Sequence, residues 1–224
     1  MAVIAADDLY RFYHTSEEET RALRGVSFAV DPGELVALVG PSGSGKSTLL
    51  SCLAGLDVPD GGQVLLKGER IARLSEAERA KRRRAHIGIL MQSRNLLAGL
   101  TAEENVQLIL GGGRRDDRAS ILLGKVGVLA RRRALPNELS GGEAARVGLA
   151  VALGRSPSVL LADEPTAEVD AGTETDLIRL LADYCAAGMA AIVATHSPSL
   201  TKAASRVVQL QDGRIVDDSA ARQS

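Results

Sequence analysis

Residues Gly40 to Ser47 read Gly-Pro-Ser-Gly-Ser-Gly-Lys-Ser, a spacing that can grip phosphate. Gly40, Gly43 and Gly45 let the backbone turn sharply enough to bring its N–H groups onto phosphate oxygens. Pro41, Ser42 and Ser44 complete the loop, and Thr48 follows it. Lys46 supplies a mobile positive charge for the β- and γ-phosphates, and the Ser47 hydroxyl is placed to reach Mg²⁺. A chance Gly/Ser-rich turn would carry the same letters, so the flanks decide. Glu34–Val39 is a short apolar run that reads as a buried strand, and Lys46–Ala54 has helical composition. Strand, glycine loop and helix together make this a P-loop, with a helix N-terminus behind the anion. A second apolar run, Val159–Ala162, ends in Asp163-Glu164-Pro165. In a parallel α/β sheet ligands sit at the carboxyl ends of strands. Asp163 is thus placed to hold the shell of Mg²⁺, and Glu164 to polarise an attacking water as general base.

These groups need a scaffold that aligns strand ends. Strand-like runs recur at 63–67, 87–91, 159–163, 190–195 and 207–210, with helical stretches at 46–55, 116–128, 140–154 and 170–187. Alternation of the two predicts an α/β protein with a largely parallel sheet covered on both faces. Residues 1–33 suggest strands, with Asp31-Pro32-Gly33 as a turn, and Gln211-Asp212-Gly213-Arg214 reads as a hairpin turn. The stretch from about 93 to 155 lacks convincing strands and reads as a helical insert in the core.

Composition narrows the class further. The 224 residues suit one domain with an insert, and aromatics are only 2%, so the core must be aliphatic and alanine-rich. Lys and Arg number 27 against 28 Asp and Glu, which argues against a nucleic-acid partner. Cys52 and Cys185 lie far apart and form no Cys-x-x-Cys pair, so both read as reduced packing residues. No apolar run approaches the roughly 18 residues of a membrane span, and the N-terminus lacks a basic signal region. Lys81–Arg84 and Arg131–Arg133 read as solvated basic faces.

Leu139-Ser140-Gly141-Gly142-Glu143, between the P-loop and Asp163-Glu164-Pro165, resembles the signature of ABC-type ATPases. Ser140 would cap a helix and meet phosphate, with Gly141 and Gly142 exposing N–H groups. The resemblance runs from about Leu9 to Val216 and adds further residues. Gln92 resembles the Q-loop glutamine that reaches metal and water, and His196 the switch histidine that contacts the γ-phosphate. Asp170 resembles the D-loop aspartate. Tyr13 is the choice for the aromatic that stacks on adenine, with Tyr10 and Phe12 as rivals. Stretches such as Gly40–Leu50, Leu135–Glu143 and Leu100–Val106 are similar to ATPase subunits of macrolide-efflux and lipoprotein-release transporters. Cell-division ATPases share much of this. Glu143, Val151 and Val169 depart from the usual residues without removing a phosphate, metal or water ligand.

The resemblance implies a P-loop NTPase (RecA-like) core with an N-terminal antiparallel β-subdomain and an inserted helical signature subdomain. Residues 1–92 and 156–224 would form the core and about 93–155 the insert. It implies ATP and Mg²⁺ as cofactors, and a head-to-tail dimer, expected to be a homodimer, with two ATPs between the subunits. Hydrolysis would drive a separate integral membrane permease of efflux or lipoprotein-extraction type. The chain would then be cytoplasmic, held on the inner face of the plasma membrane by that partner. The alternative is an ATP-gated regulator acting on a membrane protein without transport.

Overall fold

Two sheets organise the chain, seen in a computed structural model that describes residues 1–14, 19–71, 74–91, 95–111, 117–167 and 169–220. The order begins with β1 (Ile4–His14), β2 (Glu19–Val30), β3 (Leu35–Val39) and helix α1 (Lys46–Leu53). It continues through β4 (Gly61–Leu66), β5 (Glu69–Arg70), α2 (Glu76–His86) and β6 (Ile87–Leu90). Helices α3 (Ala102–Leu110), α4 (Arg118–Lys125) and α5 (Gly141–Leu153) follow, then β7 (Val159–Asp163), α6 (Ala171–Ala186) and β8 (Ala190–Ala194). Helix α7 (Pro198–Ala203), β9 (Arg206–Gln211) and β10 (Arg214–Ala220) complete the series.

The larger sheet has the order β10-β9-β3-β8-β7-β6, parallel except for β10 at its edge. Its central strands are apolar on both faces because both faces are covered. Val36 and Leu38 of β3 join one core cluster, and Leu35 and Ala37 join the other. Likewise Val159 and Leu161 of β7 point one way, Leu160 and Ala162 the other. The first cluster takes in α1 and the antiparallel sheet β2-β1-β4-β5. The second takes in side chains of α3, α4, α5, α6 and α7. The parallel, doubly covered sheet and the aliphatic core are as expected, and the alanines at Ala37, Ala162, Ala191 and Ala194 let the layers approach closely.

Element ends agree closely with expectation where local chemistry sets them. Strand β7 matches residue for residue, and β9 and β10 meet through Asp212 and Gly213, both with positive φ, as a tight hairpin requires. Helix α2 was not anticipated. It buries none of its residues, so it offers no apolar period to read, and its start is instead encoded by a Ser75–Glu78 capping box. The Lys81–Arg84 run lies on this exposed helix, with Arg83 paired to Glu76 and Arg82 to Glu69.

Candidate functional site

Topology gathers the chemistry. Strands β3, β8 and β7 are neighbours and run parallel, so their carboxyl ends share one edge of the sheet. The glycine loop leaves β3, Asp163 ends β7, and His196 follows β8. Residues that are 116 or more positions from the loop in sequence thereby border one cleft of about 1050 Å³. Lys46, Ser47, Thr48, Asp163, Glu164 and His196 line it.

The loop is shaped by its glycines. Gly45 precedes α1 at φ 105, and a Cβ there would stand 2.4 Å from the Ala22 carbonyl oxygen. It gives α1 no side-chain cap, so the first N–H groups of the helix keep no side-chain partner from that position. Gly43, at φ 78, faces open space, which leaves the backbone free to be approached by an anion. Lys46 is largely buried, and its Nζ donates to the carbonyls of Gly40 at 2.7 Å and Pro41 at 3.0 Å. The ammonium is thus held over the loop by two neutral acceptors that phosphate oxygens can outcompete. Ser44 is buried, and its Oγ has no hydrogen-bond partner among the described residues.

The Ser47 hydroxyl donates to Asp163 Oδ2 at 2.6 Å, linking the loop directly to the end of β7. Two hard oxygen donors at this spacing fit a divalent cation. Among the described residues no group of three or more His, Cys, Asp or Glu could cage a metal. A cation here would draw its other ligands from phosphate and water, as Mg²⁺ commonly does.

Glu164 adopts φ 51, a left-handed conformation that is costly for a non-glycine residue and frequent at functional sites. Its N–H donates to the Ala194 carbonyl at 2.9 Å, which fastens the turn to β8. Its carboxylate accepts the His196 N–H at 3.3 Å and lies 3.6 Å from His196 Nε2. The strained turn aims the carboxylate into the cleft beside the histidine.

Tyr13 borders the same cleft, whereas Tyr10 and Phe12 pair with each other, their ring centroids 6.2 Å apart. Arg21 and Arg24 of β2 also line the cleft and went unnoticed in the sequence, where strand arginines look like any solvated face. Gln92 lies outside the described residues, as does Glu168 beside the D-loop position.

The signature stretch sits elsewhere. Ser140 caps α5, accepting the Glu143 N–H at 3.2 Å while Glu143 Oε2 accepts the Ser140 N–H at 2.9 Å. Ser140 and Gly141 are exposed, Gly142 is buried, and none of them is among the residues that border the cleft. Arg131 contacts Glu143 at 3.3 Å, which offsets the charge that glutamate brings in place of glutamine. The Glu143 carboxyl lies below its usual range, chiefly through the Ser140 backbone N–H. Val151 packs against the second core cluster. Asp170 caps α6 through the Thr173 N–H at 3.0 Å and is otherwise exposed. Buried Asn105 was missed in any specific role. It ties α3 to the preceding loop, accepting the Leu97 N–H and donating to the carbonyls of Leu100 and Thr101.

Residues 23–167 match the ABC transporter family. The chain is 41% identical over 221 residues to the lipoprotein-releasing system ATP-binding protein LolD 1 of Rhodospirillum rubrum, covering 96% of this chain and 98% of that protein. It is 40% identical over 227 residues to the macrolide export ATP-binding/permease protein MacB of Hyphomonas neptunium, covering 99% of this chain. The chain spans 35% of that MacB protein's length. Among solved structures, the dimeric, post-hydrolysis ATP-binding cassette MJ0796 bound to ADP and Pi superposes with a TM-score of 0.93 at 33% identity, covering 98% of this chain and 99% of that one. The chain belongs to the ABC transporter family. It is one of the family's ATPase cassettes, a P-loop NTPase core with an antiparallel β-subdomain and an inserted helical signature subdomain.

Proposed function

We propose that the chain binds MgATP, dimerises head to tail around two nucleotides, and hydrolyses one or both of them to power a separate membrane permease. The observation that carries this reading is the cleft itself, where Lys46, Ser47, Asp163, Glu164 and His196 converge while Ser140 and Gly141 stay exposed outside it. A second copy of the chain, turned head to tail, offers its signature helix to the open side of the phosphate site.

In this scheme the N–H groups of Gly43 to Ser47 bind the phosphates, and Lys46 leaves its two carbonyls for the β- and γ-phosphate oxygens. Ser47 and Asp163, with Gln92, would hold Mg²⁺, which supplies charge neutralisation on the phosphate chain when bound. Glu164 orients a water in line with the γ-phosphate and accepts its proton as the new P–O bond forms and the bond from the γ-phosphorus to the β–γ bridging oxygen breaks, ADP leaving with that oxygen. His196 steadies the γ-phosphate side of that water. Tyr13 stacks on adenine. Ser140 and the N–H groups of Gly141 and Gly142 close on the γ-phosphate held by the other subunit, and Asp170 lies between the two sites. Residues of about 93–155 form the subdomain that carries closure to the permease.

No described helix is long and apolar enough to cross a membrane. The similarity to LolD and MacB favours an efflux or lipoprotein-extraction permease and a place on the cytoplasmic face of the membrane. The test uses a tagged Glu164→Gln protein, expressed in its native host and recovered with ATP from membranes in mild detergent. Stoichiometric recovery of a multi-span permease is expected. Recovery of ribosomes, DNA or only soluble protein overturns the proposal.

A further inference from the structure

Tyr13 does not stand alone beside the cleft. The Arg11 guanidinium lies over its ring, 4.6 Å from the centroid. Asp57, in the turn just beyond α1, grips that guanidinium with both oxygens, Arg11 Nε to Oδ2 at 2.9 Å and Nη2 to Oδ1 at 2.9 Å. The same Oδ2 accepts the Tyr13 hydroxyl at 2.7 Å. Asp57 is itself pinned by the Val58 N–H at 2.9 Å, and Asp60 adds a third contact to Arg11 at 3.1 Å. Burial pushes the Asp57 carboxyl up, but the bonds from Arg11 and Tyr13 outweigh it and hold the group low, so it stays an acceptor.

We propose that Arg11 and Asp57 are positioning residues that set the plane of the Tyr13 ring for the nucleotide base. This rests on the reading of Tyr13 as the adenine platform. A ring has two faces, and a stacking platform must offer one and keep the other still. Arg11 occupies one face by a planar, bidentate-anchored contact that lysine could not reproduce. Tyr13 remains 39% exposed and borders the cleft. Asp57 also fixes distance. It follows α1, whose first residues Lys46 and Ser47 border the same cleft as Tyr13. The clamp therefore registers the base platform against the phosphate loop through one rigid helix. Arg11 and Asp57 are only 21% and 23% exposed, so solvent screens the pair less than an ordinary surface bridge.

The experiment compares binding of MgATP and of magnesium tripolyphosphate, which has no base, by calorimetry. Arg11→Gln should raise the Kd for MgATP about five- to tenfold, a part of the stacking contribution of one base, and leave the Kd for tripolyphosphate at its wild-type value. In a Tyr13→Ala background, Arg11→Gln should cost nothing further, and Arg11→Lys should rescue only partly. Asp57→Asn, which keeps an oxygen for the Tyr13 hydroxyl, serves as a second variant if Arg11→Gln folds poorly. Equal weakening of both ligands would mean that Arg11 acts through the fold, and overturns the proposal. Weakening by Tyr13→Ala without weakening by Arg11→Gln overturns the clamp and spares the adenine platform. An unchanged MgATP affinity in Tyr13→Ala removes the platform reading and the clamp with it.

Discussion

Glutamine at position 164 keeps the side chain's volume and removes only its basicity and charge. The left-handed turn at φ 51 is as costly for glutamine as for glutamate, and the backbone bond to Ala194 survives. The amide oxygen can still accept the His196 N–H. Unfolding stability should therefore stay within about 1 kcal/mol of wild type. Two losses remain, and their sizes differ. The contact with His196 Nε2 is 3.6 Å long and the histidine side chain is 59% exposed, so it contributes no more than about 1 kcal/mol, or about fivefold in rate. Loss of a general base costs about 10²- to 10⁴-fold. A fall in kcat beyond about thirtyfold thus points to proton acceptance and not to the lost contact. Phosphate release under single-turnover conditions gives the rate, and light scattering with ATP gives the dimer, which should accumulate in the variant. A rate loss under about fivefold refutes the role of Glu164 as base.

Three further outcomes are expected. Ser140→Ala should remove the cap bond to the Glu143 N–H, cost about 1 kcal/mol in urea unfolding, and abolish ATP-dependent dimerisation while the monomer still binds nucleotide in calorimetry. Gly45→Ala should destabilise the chain by about 2–4 kcal/mol and weaken nucleotide binding, because its Cβ would meet the Ala22 carbonyl oxygen at 2.4 Å on a backbone at φ 105; denaturant melts check this. Burial pushes the thiols of Cys52 and Cys185 up from 9.0 to about 12 and about 11. The unfolded chain loses these protons first, so stability should begin to fall near pH 9 and continue falling to about pH 11 for Cys185 and about pH 12 for Cys52, with a slope of at most about 1.4 kcal/mol per pH unit for each thiol. Urea midpoints at pH 8 and pH 10 test this, and a Cys52→Ala, Cys185→Ala protein should lose less over the same interval.

What was legible in the sequence is what local physics encodes. Gly40, Gly43 and Gly45 are demanded by backbone geometry, and strand β7 ends where Val159–Ala162 gives way to Asp163. The cap Ser140 announces its helix within three residues. Helix α2 escaped notice because it buries nothing, and the period of apolar residues is the signal that burial writes. Nothing in the spacing of Arg11, Tyr13 and Asp57 marks them as one cluster, and the fold alone brings them together.

The sequence by itself determined the phosphate loop, the acidic strand end, the alternation of strands and helices, and the family. Only the tertiary structure decided which of these meet. Glu164 and His196 touch because β8 inserts between β3 and β7, and the signature at α5 stands clear of the cleft on the same chain. Motifs follow from bonds a few residues long. Strand order follows from how two apolar clusters are shared across both faces of one sheet, a sum over residues far apart in the chain.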